Sequence, residues 1–574
     1  MAKVKIKIND QEFEVEEEKT ILEVSRELNL DIPSLCSHPD LEVRANCRIC
    51  MVEIKGQKSL TPACQTMVKD GLEIITDSER IKKARKTNLE FIRANHQKSC
   101  DTCLWKEDCQ LKKLFEEYNI TLSPYEKIRP NKKKKYQFGP VILDASKCIE
   151  CRNCVEVCQN QGISFLEVND YGSQISIKPS DNSYRDCTYC GQCVSHCPAN
   201  ALVMDTSSLK RVEKMLAAKK LIIIVQIAPS VRATLNEEFK IPYGKMTPEH
   251  IAGALKQLGF KYVFDTSTGA DFTTFEEAKE LIERLNQHKN LPMLTSCCPA
   301  WVKYVEFYRP ELIPLLTTVR SPHIIMGGYL KTYWLKKQKI NSKNIKVISI
   351  MPCLAKKYEI ERPELRLKNG LKPVDEVLTV RELAILLKKK NIDLKEVAKA
   401  PLDALASGAG IIYGASGGVM ESALRTAYYL MTQKEPPMVQ FEAVRGIEGF
   451  KKARYQINQF NLKVAVVSGL NQAEKLIQDF KAKPNLYDYI EVMACPGGCI
   501  GGGGLPLPTN KEVRQKRASV LYQLDEKAKI RCSHNNPVLK EAYQDYFMDK
   551  KTTESVFHTH FQKKKKEGYK INKK

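Results

Sequence analysis

The chemistry this sequence offers is concentrated in its 21 cysteines. Most have only two to five residues between themselves and a neighbour, as in Cys148-x2-Cys151-x2-Cys154-x3-Cys158 and Cys187-x2-Cys190-x2-Cys193-x3-Cys197-Pro198. Thiolates are soft anionic ligands suited to iron and zinc, and such spacing lets one loop wrap one face of a metal centre. They are too sparse for a disulfide scaffold. The N-terminus MAKVKIKIND has no continuous apolar h-region, so a reducing, cytoplasmic compartment is expected.

The duplicated run resembles the bacterial two-cluster ferredoxin, in which three close cysteines hold one cubane and the fourth crosses to the other. On that resemblance one [4Fe–4S] cluster takes Cys148, Cys151, Cys154 and Cys197, and a second takes Cys187, Cys190, Cys193 and Cys158. Zinc also uses C-x2-C pairs, but the duplicated four-cysteine run argues against it. Upstream, Cys36-x10-Cys47-x2-Cys50-x13-Cys64 resembles the plant-type ferredoxin that holds a [2Fe–2S] cluster, with a longer first gap; a zinc site is the alternative. Between these modules, His96-x3-Cys100-x2-Cys103-x5-Cys109 looks like the His/Cys3 [4Fe–4S] site of complex I and hydrogenase subunits, although a lone histidine near cysteines is usually structural.

Three separated segments carry the remaining cluster-type cysteines: TSCCPAW (295–301), MPCLAKKYE (351–359) and EVMACPGGCIGGG (491–503). They are similar to the TSCCPxW, MPCxxKxxE and ExMACxxGCxxGGGxP signatures of [FeFe]-hydrogenases, in the same order. The last departs only where Leu505 separates an extra Gly504 from Pro506. With the accessory modules, the resemblance to the large clostridial type covers essentially the whole chain. It implies reversible reduction of protons to H2 at an H-cluster: a [4Fe–4S] cubane on Cys298, Cys353, Cys495 and Cys499, with Cys499 bridging to a diiron unit that bears CO, CN and an azadithiolate. It further implies Lys356 beside a cyanide, and Ala228, Pro229, Ser230, Met351 and Met493 around the diiron unit. The glycine run 501–504 reads as room for close backbone approach.

The same resemblance makes Cys297 the first proton carrier, followed by Glu277, Thr317, Glu280 and Arg284. A thiol donates and a thiolate accepts, so a cysteine is able to relay protons. Glu277, Glu280 and Arg284 fall at i, i+3 and i+7 of FEEAKELIER and share one helix face. Without the cysteine motifs they would read as a solvated face with a Glu280–Arg284 pair. Thr317 stands where relatives commonly have Ser, which keeps a hydroxyl. Reduced ferredoxin is the expected donor; the alternative is a catalytic subunit in an NAD(P)-linked or electron-bifurcating complex with flavoprotein subunits. Hydrogenase maturation enzymes are further expected partners, and neither nucleic acid nor membrane is expected. A complex I subunit would share residues 1–110 alone, and an assembly factor or sensory hydrogenase usually loses the relay cysteine. Cys532 fits no spacing and reads as an inert, buried thiol. GASGG (414–418) reads as a loop after a strand that opens a helix, but it lacks the GK[ST] ending of a phosphate loop.

The elements that must position these residues follow from patterning. KVKIKI, an Asn9–Asp10 turn and EFEVEE read as a hairpin, followed by a helix over Thr20–Leu28. Residues 81–125 look helical, and RPNKKKKYQFGP reads as a linker. Beyond residue 209, apolar strands at 221–228, 347–351, 464–470 and 489–493 alternate with amphipathic runs, as in an α/β domain whose site lies at strand carboxyl ends. With 574 residues the chain is long enough for three to five domains. With the resemblance, the expected fold is multidomain α+β and α/β. It comprises a β-grasp [2Fe–2S] ferredoxin-like domain (1–80), a small helical His/Cys3 domain (81–125), a two-cluster ferredoxin-like domain (138–208) and a two-lobed α/β catalytic domain (209–574). The formal charge of +23 suits an acidic partner or simply a Lys-rich surface, with Lys563–Lys566 and Lys132–Lys135 read as solvated runs.

Overall fold

The computed structural model describes residues 2–96, 100, 103, 109–125, 134–171, 174–341 and 344–572. The N-terminal hairpin forms as the alternation dictates. β1 (Lys3–Ile8) pairs antiparallel with β2 (Gln11–Glu16), and Asn9 and Asp10 take positive φ of 48° and 67° in the two-residue turn that matches strand twist. β3 (Met51–Ile54), β4 (Thr61–Pro62) and β5 (Glu73–Ile75) complete a sheet of order β2-β1-β5-β3-β4. The helix Ile21–Glu27 starts in a capping box between Thr20 and Glu23 and buries Ile21, Leu22 and Val24 against this sheet's core. The region expected to be helical holds Glu79–Asn95 and Gln110–Glu117.

β6 (Lys135–Phe138), β7 (Val141–Asp144) and a later strand at Leu202–Met204 form one antiparallel sheet. The expected linker therefore ends in a strand. Phe138 is buried, and Lys135 pairs with Asp144 at 3.0 Å instead of standing free. The strand Lys570–Asn572 adds to β6, pairing Asn572 with Lys135, about three quarters of the chain away. The basic run before it is also engaged: Lys564 meets Glu364 at 3.1 Å and Lys566 donates to Ser180 O at 2.9 Å. Of the other expected run, Lys132 and Lys133 lie outside the described residues.

The remainder is built on two sheets. β8 (Ile222–Ile227), β9 (Tyr262–Asp265), β10 (Ile345–Met351) and β11 (Glu376–Thr379), numbered here after the strands already given, form an all-parallel sheet of order β9-β8-β10-β11. Its strands are apolar runs because both faces are covered. Met293–Leu294, Tyr489–Met493, Phe460–Ser468 and Phe450–Ile457 form the second sheet in that order, parallel except for the last pair. The helix Thr266–Gln287 begins directly after β9, with the Asp265 carboxylate accepting from Ser267 N at 2.8 Å as its cap. Helices Lys511–Glu526, Pro537–Asp545 and Lys550–Phe557 return over this body. Arg517 anchors them, fully buried, donating to Glu237 at 2.6 Å, Ile500 O at 2.9 Å and Pro506 O at 3.0 Å. Among the described residues no helix is long and apolar enough to cross a membrane.

One local expectation is wrong. GASGG follows a short helix, Gly408–Ile412, and not a strand. Ser407 caps that helix by accepting from Gly410 N at 3.1 Å. The glycine loop does open a helix, Gly418–Thr432, but its N–H groups are already used. Gly417 N and Met420 N both donate to the Glu491 carboxylate at 2.7 Å. An internal carboxylate thus occupies the place a phosphate would take at a helix N-terminus.

Candidate functional site

Both large sheets deliver strand carboxyl ends to one cavity of about 750 Å³. Ala228, Pro229 and Ser230 follow β8, and Met351, Pro352 and Cys353 close β10. Cys297 and Cys298 follow Met293–Leu294, and Met493, Cys495 and Cys499 follow Tyr489–Met493. All of these line the cavity, as does Lys356. The four cysteines expected as cubane ligands, the five residues expected around the diiron unit and the expected first proton carrier therefore meet at one place.

The donor set suits an iron–sulfur group. Burial raises the thiols of Cys353, Cys495 and Cys499, the last to about 12, so as bare thiols they hold their protons and a cationic cluster would take their place. Ser230 Oγ lines the cavity, is fully buried and has no hydrogen-bond partner in the protein, as a group meant for a bound polar ligand would be. On the side of the accessory modules, a Cβ added to Gly503 would come within 2.4 Å of Gly191 O, so only glycine permits that contact. There Cys495 Sγ lies 3.9 Å from Cys190 O, and Gln192 Nε2 donates to Gly501 O at 2.9 Å.

Lys356 is held at the cavity wall as a buried cation. Its Nζ donates to Cys297 O at 3.1 Å and to Glu359 Oε2 at 2.8 Å. Burial pushes the Glu359 carboxyl up, but the Lys356 ammonium and then His323 outweigh it and hold it at about 2. His323 is lowered to about 4 by burial, so it is neutral and donates Nε2–H to Glu359 at 2.6 Å. Sequence reasoning missed this pair. Glu359 closes the MPCLAKKYE segment and so carried a signal, whereas His323 in PHIIMGG carried none.

The proton-side residues occupy the helix Thr266–Gln287 and the segment after Pro314. Their face is not solvated: Glu277 is 1% exposed and Arg284 8%. Neither oxygen of Glu277 has a hydrogen bond of good geometry, although the Tyr489 hydroxyl beside it acts to lower the carboxyl. Burial, then the charge of Glu280, raises the Glu277 carboxyl to about 8. Burial and the Glu277 charge likewise keep the Cys297 thiol protonated. Beyond them the contacts are direct. Glu280 Oε2 accepts from Thr317 Oγ1 at 2.8 Å, and Glu280 Oε1 accepts from Arg284 at 2.5 Å. Thr317, Glu280 and Arg284 are thus hydrogen-bonded together, while Cys297 and Glu277 are close, buried neighbours without a direct hydrogen bond.

The accessory cysteines gather in the expected groups. Cys148, Cys151, Cys154 and Cys197 line one pocket. The thiols of Cys158, Cys190 and Cys193 all act on Cys187. Cys47 N donates to Cys36 Sγ at 3.4 Å, while Cys50 pairs with Cys64, whose thiol also feels Cys36 and Cys47. His96, Cys100, Cys103 and Cys109 line a pocket of about 310 Å³. His96 is lowered to about 4 by burial and is neutral, so its Nδ1–H donates to Lys147 O at 2.9 Å and leaves Nε2 as the lone-pair nitrogen. Cys532 is buried, and that burial raises its thiol to about 11.

Comparison with known proteins agrees with this geometry. Residues 221–503 match the family described as the iron only hydrogenase large subunit, C-terminal domain, and residues 511–564 match the iron hydrogenase small subunit. Residues 1–79 match a 2Fe-2S cluster binding domain, 85–124 the iron–sulfur binding region of NADH-ubiquinone oxidoreductase-G, and 147–201 a 4Fe-4S dicluster domain. The chain is 40% identical to the NADP-reducing hydrogenase subunit HndD of Solidesulfovibrio fructosivorans, over 99% of this chain and 100% of that protein. It is 37% identical to iron hydrogenase 1 of Clostridium pasteurianum, over 94% of this chain and 96% of that protein. A solved structure of apo [FeFe]-hydrogenase HydA1 from Chlamydomonas reinhardtii matches with a TM-score of 0.56 at 36% identity, covering 62% of this chain and 99% of that one. With its cysteine segments converging on one buried cavity and a relative matched end to end, this chain belongs to the iron-only hydrogenase family.

Proposed function

We propose that this chain reversibly reduces protons to H2 at an H-cluster that Cys298, Cys353, Cys495 and Cys499 would hold. The observation that carries this reading is the meeting of those four thiols with Ala228, Pro229, Ser230, Met351, Met493, Cys297 and Lys356 around one cavity. When bound, that group supplies the metal centre at which electrons and protons combine.

The chain's own residues do the rest. Lys356, charged and pinned by Glu359, offers Nζ to an anionic ligand at the cavity wall. Cys297 carries protons at Sγ to and from Glu277, and Thr317 and Glu280 continue the path outward. Cys36, Cys47, Cys50 and Cys64 would hold one [2Fe–2S] cluster, and three [4Fe–4S] clusters would sit on His96, Cys100, Cys103 and Cys109 and on the duplicated run; together they would supply the redox centres for electron delivery. The Gly191–Gly503 contact brings the cysteine loops of the two-cluster unit and of the cavity close together, as electron delivery between them would require. On this reading residues 1–80 form the β-grasp ferredoxin-like unit, 81–125 the His/Cys3 unit, 138–208 the two-cluster unit and 209–574 the two-lobed catalytic unit.

The donor follows from two readings. As a self-contained ferredoxin hydrogenase the chain takes electrons from reduced ferredoxin. As a catalytic subunit it receives them from an NAD(P)H-oxidising flavoprotein, a reading favoured by its end-to-end similarity to a protein named as an NADP-reducing hydrogenase subunit. NADPH-dependent H2 production that needs a copurifying flavin-bearing partner selects the second. The catalytic assignment itself is tested by infrared spectroscopy. Protein made with hydrogenase maturation enzymes should show CO and CN bands, and protein made without them should carry accessory clusters yet evolve no H2. Activity without maturation would overturn the reading.

A further inference from the structure

The hydrogen bonds around Glu280 do not stop at Arg284. The Arg284 guanidinium is committed to three backbone carbonyls, Asn290 O at 3.0 Å, Leu315 O at 2.9 Å and Leu316 O at 2.7 Å, as well as to Glu280. A guanidinium has no acceptor and does not release its proton in a protein, so Arg284 positions the carboxylate but cannot relay for it.

A titratable group stands on the other side. The segment Phe557–Thr559 runs antiparallel to Thr318–Arg320: Arg320 N donates to Phe557 O at 2.7 Å, and Thr559 N donates to Thr318 O at 2.8 Å. Arg320 Nε adds a bond to His558 O at 2.7 Å. This register sets His558 Nδ1 2.8 Å from Thr318 Oγ1, which lies 2.9 Å from Glu280 Oε2. The other ring nitrogen, Nε2, is 3.0 Å from Glu276 Oε2. Burial pushes the Glu276 carboxyl up, but His558, Lys279 and Tyr543 outweigh it and hold it at about 2, so it is ionised opposite the ring. Glu280, Thr318 and His558 all line one open surface cleft.

We propose that His558 is the outer proton-exchange group of this hydrogenase, passing protons between the cleft and Glu280 through the Thr318 hydroxyl. The proposal rests on the reading above that Glu280 belongs to the proton path. The step balances. The proton on Nδ1 of the imidazolium moves to Thr318 Oγ1 while the Thr318 proton moves to the Glu280 carboxylate. The imidazole left behind is neutral, keeps Nε2–H on Glu276 and is recharged from water in the cleft. Imidazole is the side chain whose charge changes between pH 5 and 8. The charged and titratable groups around it are Glu276, Lys279 and Glu280 on the long helix, Tyr543 on Pro537–Asp545, Arg320 and Glu364 opposite, and Glu554 and His560 on its own segment.

The test uses the matured holoenzyme with a viologen dye as donor. His558→Ala, His558→Gln and Thr318→Val should each slow H2 evolution about tenfold, below the 10²–10⁴ of a sole acid–base group because cleft water also reaches Glu280. Infrared bands should be unchanged, and added imidazole should restore His558→Ala but not His558→Gln. Unchanged turnover in His558→Ala and Thr318→Val overturns the proposal, as does a loss that imidazole does not rescue, which marks a packing role. Glu280→Gln separates the two levels. If it is inactive while His558→Ala is normal, only the His558 role falls; if it is fully active, the underlying relay falls.

Discussion

Glu277→Gln is the sharpest probe of this site, because it changes the proton inventory and almost nothing of the shape. The carboxyl is fully buried, with no hydrogen bond of good geometry, and is raised from an ordinary 4.5 to about 8. The sign follows from linkage. The native state binds this proton more tightly than the unfolded chain does, so the wild type loses stability as pH rises from about 4.5 through about 8. At 1.36 kcal/mol per pKa unit, the loss is about 1 kcal/mol at pH 5.5, about 3 at pH 7 and between about 4 and 5 at pH 8.5. Glutamine has no proton to lose, so whatever fixed cost its amide carries does not change with pH. Anaerobic calorimetry of matched holoenzymes should therefore show a melting difference, variant minus wild type, that grows more positive by several degrees from pH 5.5 to 8.5. Turnover should move the opposite way, falling at least about a hundredfold, because glutamine cannot accept and release a proton in each cycle. A melting difference independent of pH refutes the protonated buried carboxyl. Near-normal H2 production with intact clusters refutes its place in the proton path.

Cys297→Ser should keep every cluster and lose at least about two orders of magnitude of turnover in both directions, since a hydroxyl does not ionise near neutral pH, while Cys297→Asp should recover part of it with a shifted pH optimum. Assays of H2 evolution and uptake beside the infrared spectrum check this. His96→Ala should delete or weaken one accessory cluster by electron paramagnetic resonance and slow donor-linked turnover, with the CO and CN bands unmoved, because His96 and the cavity cysteines line separate pockets. If the net charge of +23 steers an acidic ferredoxin, kcat/KM for ferredoxin should fall steeply with salt while viologen kinetics change little. Equal salt responses would assign that charge to solubility.

The sequence was most legible where the chemistry is local. A C-x2-C-x2-C run needs little more than one loop to gather its thiols, so the accessory cysteine groups could be read from spacing, and Cys197 of the second run does line one pocket with Cys148, Cys151 and Cys154 of the first. The shared face of Glu277, Glu280 and Arg284 was equally legible, being set by helical period alone. Their burial was not, because it depends on what covers the helix: Tyr489 from a distant strand, the Thr317–Thr318 segment and the C-terminal return through Tyr543 and His558. GASGG failed for the same reason. Nothing within the loop says that its N–H groups are satisfied by Glu491, and nothing in RPNKKKKYQFGP says that its last residues pair with Lys570–Asn572.

The two proposed supply routes to the cavity are built from different materials, which fits what each would carry. On the accessory side the contact is backbone against backbone, where Gly191 and Gly503 leave no room for a Cβ. An electron needs proximity and rigidity there, not a titrating group. On the proposed proton side the elements are titratable or hydroxyl side chains, from Cys297 and Glu277 to Glu280, Thr318 and His558, and a relay through them requires each to find its neighbour within hydrogen-bond reach or through a mobile group. The inner members, Cys297 and Glu277, are buried and kept neutral, while the outer ones are bonded to charge and open to a cleft. A proton moving inward thus passes from solvated, charge-stabilised carriers to dry, neutral ones. Desolvation of Glu277 opposes leaving a bare carboxylate there, so this residue rests loaded, and each proton it gives up toward Cys297 must be replaced from Glu280. That ordering makes Glu277, and not the thiol beside the cluster, the residue whose protonation should set the alkaline limit of turnover.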